Sequence, residues 1–143
     1  MAFLFVIGSS AVAQDWTQIG LDIDGEAAGD RSGTSVSLSG DGNFVAIGAP
    51  ENGGIGHVRV YQNILDVWTQ VGADIDGEAV GDAFGTSVSI NSTGDIVAVG
   101  APTNDGTGVD AGHTRVYQFT GGVWTQIGTA VSYTHLTLPT KRI

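Results

Sequence analysis

The sequence has no cysteine, which excludes a disulfide framework and any thiolate metal site. Cations are nearly as scarce. Five Lys and Arg stand against 15 Asp and Glu, for a net charge of −10. Phosphate contacts need clustered Lys and Arg, so nucleic acid is not an expected partner. No apolar run approaches the about 20 residues that a membrane-spanning helix needs. No segment keeps a 3.6-residue period, so a helical fold is not expected either. Glycine, by contrast, is plentiful at 23 of 143 residues, about twice its usual share of roughly 7%. Combined with Val, Ile, Thr and Ser, that abundance points to short strands joined by many turns. A hydrophobic content of 41% is enough to build a core.

The two ends read differently from the middle. Residues 1–13 carry an apolar run from Ala2 to Ile7 and then Ala11-Val12-Ala13, a small-x-small cleavage pattern. They are expected to be a secretory signal, although no Lys or Arg precedes the run; the alternative is a buried N-terminal strand. From Val131 to Thr140 the chain reads VSYTHLTLPT, unlike anything before it, and the only lysine follows at 141. These ten residues resemble one reading frame of the adapter used in transposon-based sequencing libraries. Residues 129–143 are therefore expected to be a non-native tail, with nothing from Val131 onward packed in the fold and the natural chain continuing further. All fifteen carboxylates lie between these ends, with only Arg31, Arg59 and Arg115 to balance them.

An internal repeat organises the middle. Trp16-Thr17-Gln18-Ile19-Gly20 returns at Trp68–Gly72 and again at Trp124–Gly128, 52 and then 56 residues on. DIDGEAAGDRSGTSVSL at 22–38 aligns with DIDGEAVGDAFGTSVSI at 74–90, FVAIGAP at 44–50 with IVAVGAP at 96–102, and GHVRVYQ at 56–62 with GHTRVYQ at 112–118. Each repeat offers four strands. Thr34 to Ser39 alternates, and Phe44 to Ala49 is continuously apolar, as a central strand covered on both faces would be. Val58 to Gln62 alternates again, and the Trp-Thr-Gln strand is polar enough for an edge. Turn signals separate them at 40–43, 51–56, 63–66 and, most clearly, Thr120-Gly121-Gly122. The four residues added in the second repeat fall in the Gly- and Asp-rich stretch 105–111, which reads as a loop. A repeat this long, made of short strands, suits a propeller blade.

Gly81-Asp82-Ala83-Phe84-Gly85 followed by Val97-Ala98-Val99-Gly100-Ala101-Pro102 resembles the FG-GAP repeat of integrin alpha chains and many secreted bacterial surface proteins. The resemblance covers 16–128. Gly-Ala-Pro occurs twice, at 48–50 and 100–102, whereas Ser32 stands where the first repeat would carry the Phe. It implies an all-β fold: two four-stranded antiparallel blades of an incomplete β-propeller, with seven blades in the whole. At ~50 residues per repeat, seven blades need roughly 350 residues. The divisions expected are an N-terminal strand and acidic connector at 14–32, blade one at 33–72, a connector at 73–84 and blade two at 85–128. Residues 16–20 would complete a blade outside this chain.

The family's calcium loops lie between the first two strands of a blade. Here those turns, 39–43 and 91–95, are too short and carry too few carboxylates for the 6–8 oxygens that calcium needs. A different acidic cluster is repeated: Asp22, Asp24 and Glu26 with Asp30, and Asp74, Asp76 and Glu78 with Asp82. In an extended chain residues i, i+2 and i+4 share a side, so these six are calcium candidates. The competing reading is a solvated connector. Asn104, Asp105 and Asp110 form a weaker cluster in the variable loop. His57 and His113 share one repeat position, which suits a structural role better than a catalytic one. Trp16, Trp68 and Trp124 read as packing between blades, and Ser35, Ser37, Ser87 and Ser89 as alternating strand positions. No G-x-S-x-G elbow and no phosphate-binding loop occurs. Asn91-Ser92-Thr93 is a glycosylation sequon. No catalytic or cofactor-binding residue is assigned. The expected function is a non-enzymatic, secreted or cell-surface propeller segment for adhesion to a protein or glycan. The alternative is part of a propeller enzyme or carbohydrate-binding protein whose site lies in other blades.

Overall fold

The computed structural model describes residues 15–132. Among these residues, nine strands form two antiparallel sheets. Sheet one contains β1 (Ser35–Leu38), β2 (Phe44–Ala49), β3 (His57–Ile64) and β4 (Val67–Gln70) in spatial order, with β5 (Ile75–Asp76) also paired to β3. Sheet two repeats that order with β6 (Ser87–Ile90), β7 (Ile96–Ala101), β8 (His113–Thr120) and β9 (Val123–Ser132). The only helical element among the described residues is a 3-10 turn at Asn52–Gly54, and no helix there is long and apolar enough to cross a membrane.

Local chemistry closes the turns. Between β1 and β2, Asp41 accepts hydrogen bonds from Ser39 Oγ, the Asn43 backbone and Asn43 Nδ2. In sheet two Asn91 and Asp95 close the matching turn by a different set of bonds. Both turn carboxylates are thus consumed by their own loops. The β3–β4 turn places Leu65 and Asp66 at φ +52° and +63°, where its counterpart uses Gly121 and Gly122. Two successive positive φ values are what a type I′ two-residue hairpin turn requires.

The sheets stack face to face, and each strand's alternation decides which residues meet. Ser35, Ser37, Ala46, Gly48, Val58 and Val60 share one face of sheet one, called here its back face. Val88, Ile90, Val97, Val99 and Tyr117 share the front face of sheet two. Ala46, Val58 and Val60 form one buried cluster with Ile90, Val97, Val99 and Tyr117. Phe84, fully buried, closes the cluster with its ring 6.2 Å from that of Tyr117. Gly48 is required by the close approach, since a Cβ there would fall 2.0 Å from the Gly85 carbonyl oxygen. Ser35 Oγ instead donates to that carbonyl at 2.7 Å, and Ser37 Oγ accepts from the Ile90 backbone at 3.1 Å.

Two segments differ from the expected divisions. Residues 15–19 carry no strand, although Trp68 Nε1 donates to the Ile19 carbonyl at 2.9 Å. Strand β9 runs beyond 128, pairing Val131 with Thr114 and Ser132 with His113. That is the register Ile75 and Asp76 hold on Val58 and His57 in sheet one. Ladder bonds use main-chain groups, so pairing continues where the resemblance to the repeat has ended. The expected signal at 1–13 and the rest of the expected tail, 133–143, lie outside the described residues.

Candidate functional site

The repeated β3 and β8 strands each carry a His and an Arg two residues apart on the front face of their sheet, at His57 and Arg59 and at His113 and Arg115. Arg59 is the better partnered. Its Nε and Nη2 donate to the two oxygens of Asp74, both at 2.9 Å, in a bidentate pair. Glu26 contacts Nη2 from the other side. Gln70 Nε2 adds a bond to Asp74 Oδ1 at 2.7 Å. Buried His57 holds Nδ1 at 3.6 Å from Asp74 and 4.0 Å from Glu26. The hydrogen bonds from Arg59 hold the Asp74 carboxyl below its usual range, and those to Asp74 push the guanidinium still higher.

Glu26, His57 and Asp74 each offer a ligand atom, all within 4.8 Å of one another, so the cluster can in principle coordinate a divalent cation. The donor set is one imidazole and two carboxylates, which suits zinc or manganese better than the all-oxygen shell of calcium. Arg59 already engages both carboxylates, and a cation would have to displace it or share them with it.

The convergence expected within each acidic connector does not occur. Asp22 is exposed and accepts from Gln18 Nε2, at 2.8 Å. Asp24 is exposed beside it, and the two edge a cleft of about 330 Å³ between residues 21–24 and Tyr61, Val67 and Trp68. Of the second connector, Asp74 goes back to Arg59 in sheet one, Asp76 is exposed, and Glu78 goes forward to Arg115 in sheet two. The cause is chain geometry. Extended pairing lasts only for Ile75 and Asp76, and the backbone then turns at Gly77, where a Cβ would lie 2.4 Å from the Ile55 carbonyl. Carboxylates of one connector are thereby split between two sheets. Asp30 and Asp82 are buried and structural. Each accepts from a backbone N–H three residues before it and from an asparagine, Asn52 or Asn104. Asp105 accepts from the Asp110 backbone, closing the variable loop.

Sheet two holds the same constellation incompletely. Glu78 contacts Arg115, and the hydrogen bond from Arg115 lowers the Glu78 pKa. The position of Asp74 is taken by Ala130, the residue before the Val131–Thr114 pair. Arg115 Nε, whose counterpart on Arg59 donates to Asp74, is accordingly buried without a hydrogen-bond partner among the described residues, and His113 Nε2 is also without one. Burial, then the neighbouring Arg115 charge, pushes the His113 pKa down. Sequence reasoning followed the carboxylates and missed the arginines. The signal was present, because two of the three arginines within 14–130 stand at the same repeat position.

Compared with known proteins, the chain matches no family model and no curated protein.

Proposed function

We propose that the chain is a pair of FG-GAP-like β-propeller blades whose role is to present a non-enzymatic binding surface, outside the cell or at its surface, to a protein or glycan. The observation that carries this reading is the repetition of the polar chemistry. Each His-Arg pair meets the preceding connector's glutamate, and each buried aspartate meets an asparagine, once per repeat. A catalytic site needs a nucleophile or base poised against substrate. Here the repeated groups are engaged in tying connectors to sheets. The stacking of the two sheets, back face of the first on front face of the second, supports the propeller architecture, and the signal-like residues 1–13 support export.

The experiment is a binding screen of the purified chain on glycan and matrix-protein arrays, run beside turnover assays with glycoside, ester and phosphate substrates. Saturable binding without turnover is expected. Turnover that survives repurification and is lost on Asp74→Asn would replace this reading with the enzymatic one.

A further inference from the structure

We propose that the chain associates head to tail with a second copy of itself. The back face of sheet two in one copy seats on the front face of sheet one in the next. This goes beyond the binding role above and rests on the stacking of the two sheets, not on adhesion.

The contact inside one molecule is the template. Front-face residues Val88 and Ile90 of sheet two correspond to Val36 and Leu38 of sheet one. Ile90 is 9% exposed under the neighbouring sheet, whereas Val36 and Leu38 are 59% and 58% exposed. The back faces match in the same way. Ala46 and Gly48 are buried in sheet one, while Ala98 and Gly100 of sheet two are only partly covered, and Ser87 and Ser89 are exposed. Each copy therefore carries counterparts of both halves of that interface, with Ser32 in place of Phe84 and with Val45 and Ile47 on the open front face already buried, so that the new contact falls on β1. The hydrogen bonds have counterparts too. Ser87 Oγ faces the role that Ser35 plays toward the Gly85 carbonyl, with Gly33 of the next copy as acceptor. Ser89 Oγ would accept from Leu38 N–H as Ser37 does from Ile90.

The outer edge has an occupant that can be exchanged. Trp68 Nε1 bonds the Ile19 carbonyl as Trp124 Nε1 bonds the Val71 carbonyl, at 2.9 and 2.8 Å. Residues 16–20 thus lie where the outer strand of a preceding sheet would lie. They are weakly held, with Trp16 93% and Ile19 56% exposed. Trp124–Gly128 repeats Trp16–Gly20 residue for residue. When a second copy docks, its β9 offers Trp68 the same backbone acceptor, the Ile127 carbonyl, and arrives with a whole sheet attached. Because the two surfaces differ, the contact is heterologous, and each pair leaves one face of each kind open.

Two variants separate the halves. Val36→Asp charges the front face. Gly100→Ala blocks the back face, because the same Cβ at Gly48 would meet a backbone oxygen across the interface. Within its own sheet that Cβ crowds only the Ser87 hydroxyl, which can rotate. Light scattering with size-exclusion chromatography over a concentration series should show wild-type mass growing beyond one chain. Each variant should raise the association midpoint by about tenfold or more, at unchanged circular dichroism. Mixing the two variants should recover a one-to-one dimer and nothing larger, since one intact face of each kind remains. A wild-type monomer throughout, association untouched by either variant, or a mixture that stays monomeric overturns the proposal.

Discussion

Arg59 and Arg115 show how one residue changes the balance of a repeated site. Both are held at the front face of a sheet, but only Arg59 has a carboxylate on its Nε. A buried donor left unpaired costs about 1–3 kcal/mol. Ala130→Asp should therefore give Arg115 its missing partner and stabilise the protein by about 1 kcal/mol, read as a melting temperature several degrees higher. The pH profile follows from the same groups. His113 has its pKa depressed below the ordinary 6.5, and Asp74 and Glu78 theirs below 3.8 and 4.5. In each case the unfolded chain binds protons first as pH falls, so stability present at neutral pH is lost on acidification. Chemical denaturation across a pH series should show one decline starting near pH 6.5 and a steeper one below about pH 4. His113→Asn should remove the first decline and leave the second.

At the scale of strands and turns, the two repeats are nearly the same sequence in different surroundings. Phe44–Ala49 and Ile96–Ala101 are both apolar throughout. The first is covered on both faces, while the second alternates between buried and partly exposed. Continuous apolarity correctly marked β2 as a central strand but could not say that β7 has one open side. Ser32 becomes intelligible in the same way. Its counterpart Phe84 is buried between the sheets, whereas position 32 is exposed at the front of sheet one. The β3–β4 turn is a weak point, since Leu65 is 94% exposed and holds a positive φ that a branched side chain adopts reluctantly. Replacing Leu65-Asp66 by Asn-Gly should raise stability by about 1 kcal/mol without altering the circular dichroism spectrum. A loss of stability would show that the turn is not the strained element described.

For the molecule as a whole, the connectors are straps. Residues 74–82 bind Arg59 behind them and Arg115 and Asn104 ahead of them, so the acidic segments lock one sheet to the next. Their carboxylates are already neutralised or hydrogen-bonded, apart from exposed ones such as Asp76. Millimolar calcium should accordingly shift the melting temperature little. A site of micromolar affinity would add about 4 kcal/mol at a thousandfold excess, and a shift of that size, abolished by Asp74→Ala with Asp76→Ala, would restore the calcium reading.

The repeat, its four strands and the turn positions were legible in the chain alone, because alternation and Gly placement are local properties that backbone sterics translate directly into strands and turns. Phe44–Ala49 was read to the residue. The acidic connectors were legible as a pattern but not as a site. Which carboxylate reaches which cation depends on where Gly77 turns the backbone and on two strands distant in sequence, His57–Ile64 and His113–Thr120. Only the stacking of the sheets decides that Asp74 and Glu78, four residues apart, serve different arginines, and that Val36 and Leu38 at the front of sheet one stay exposed while their counterparts Val88 and Ile90 are partly and fully covered.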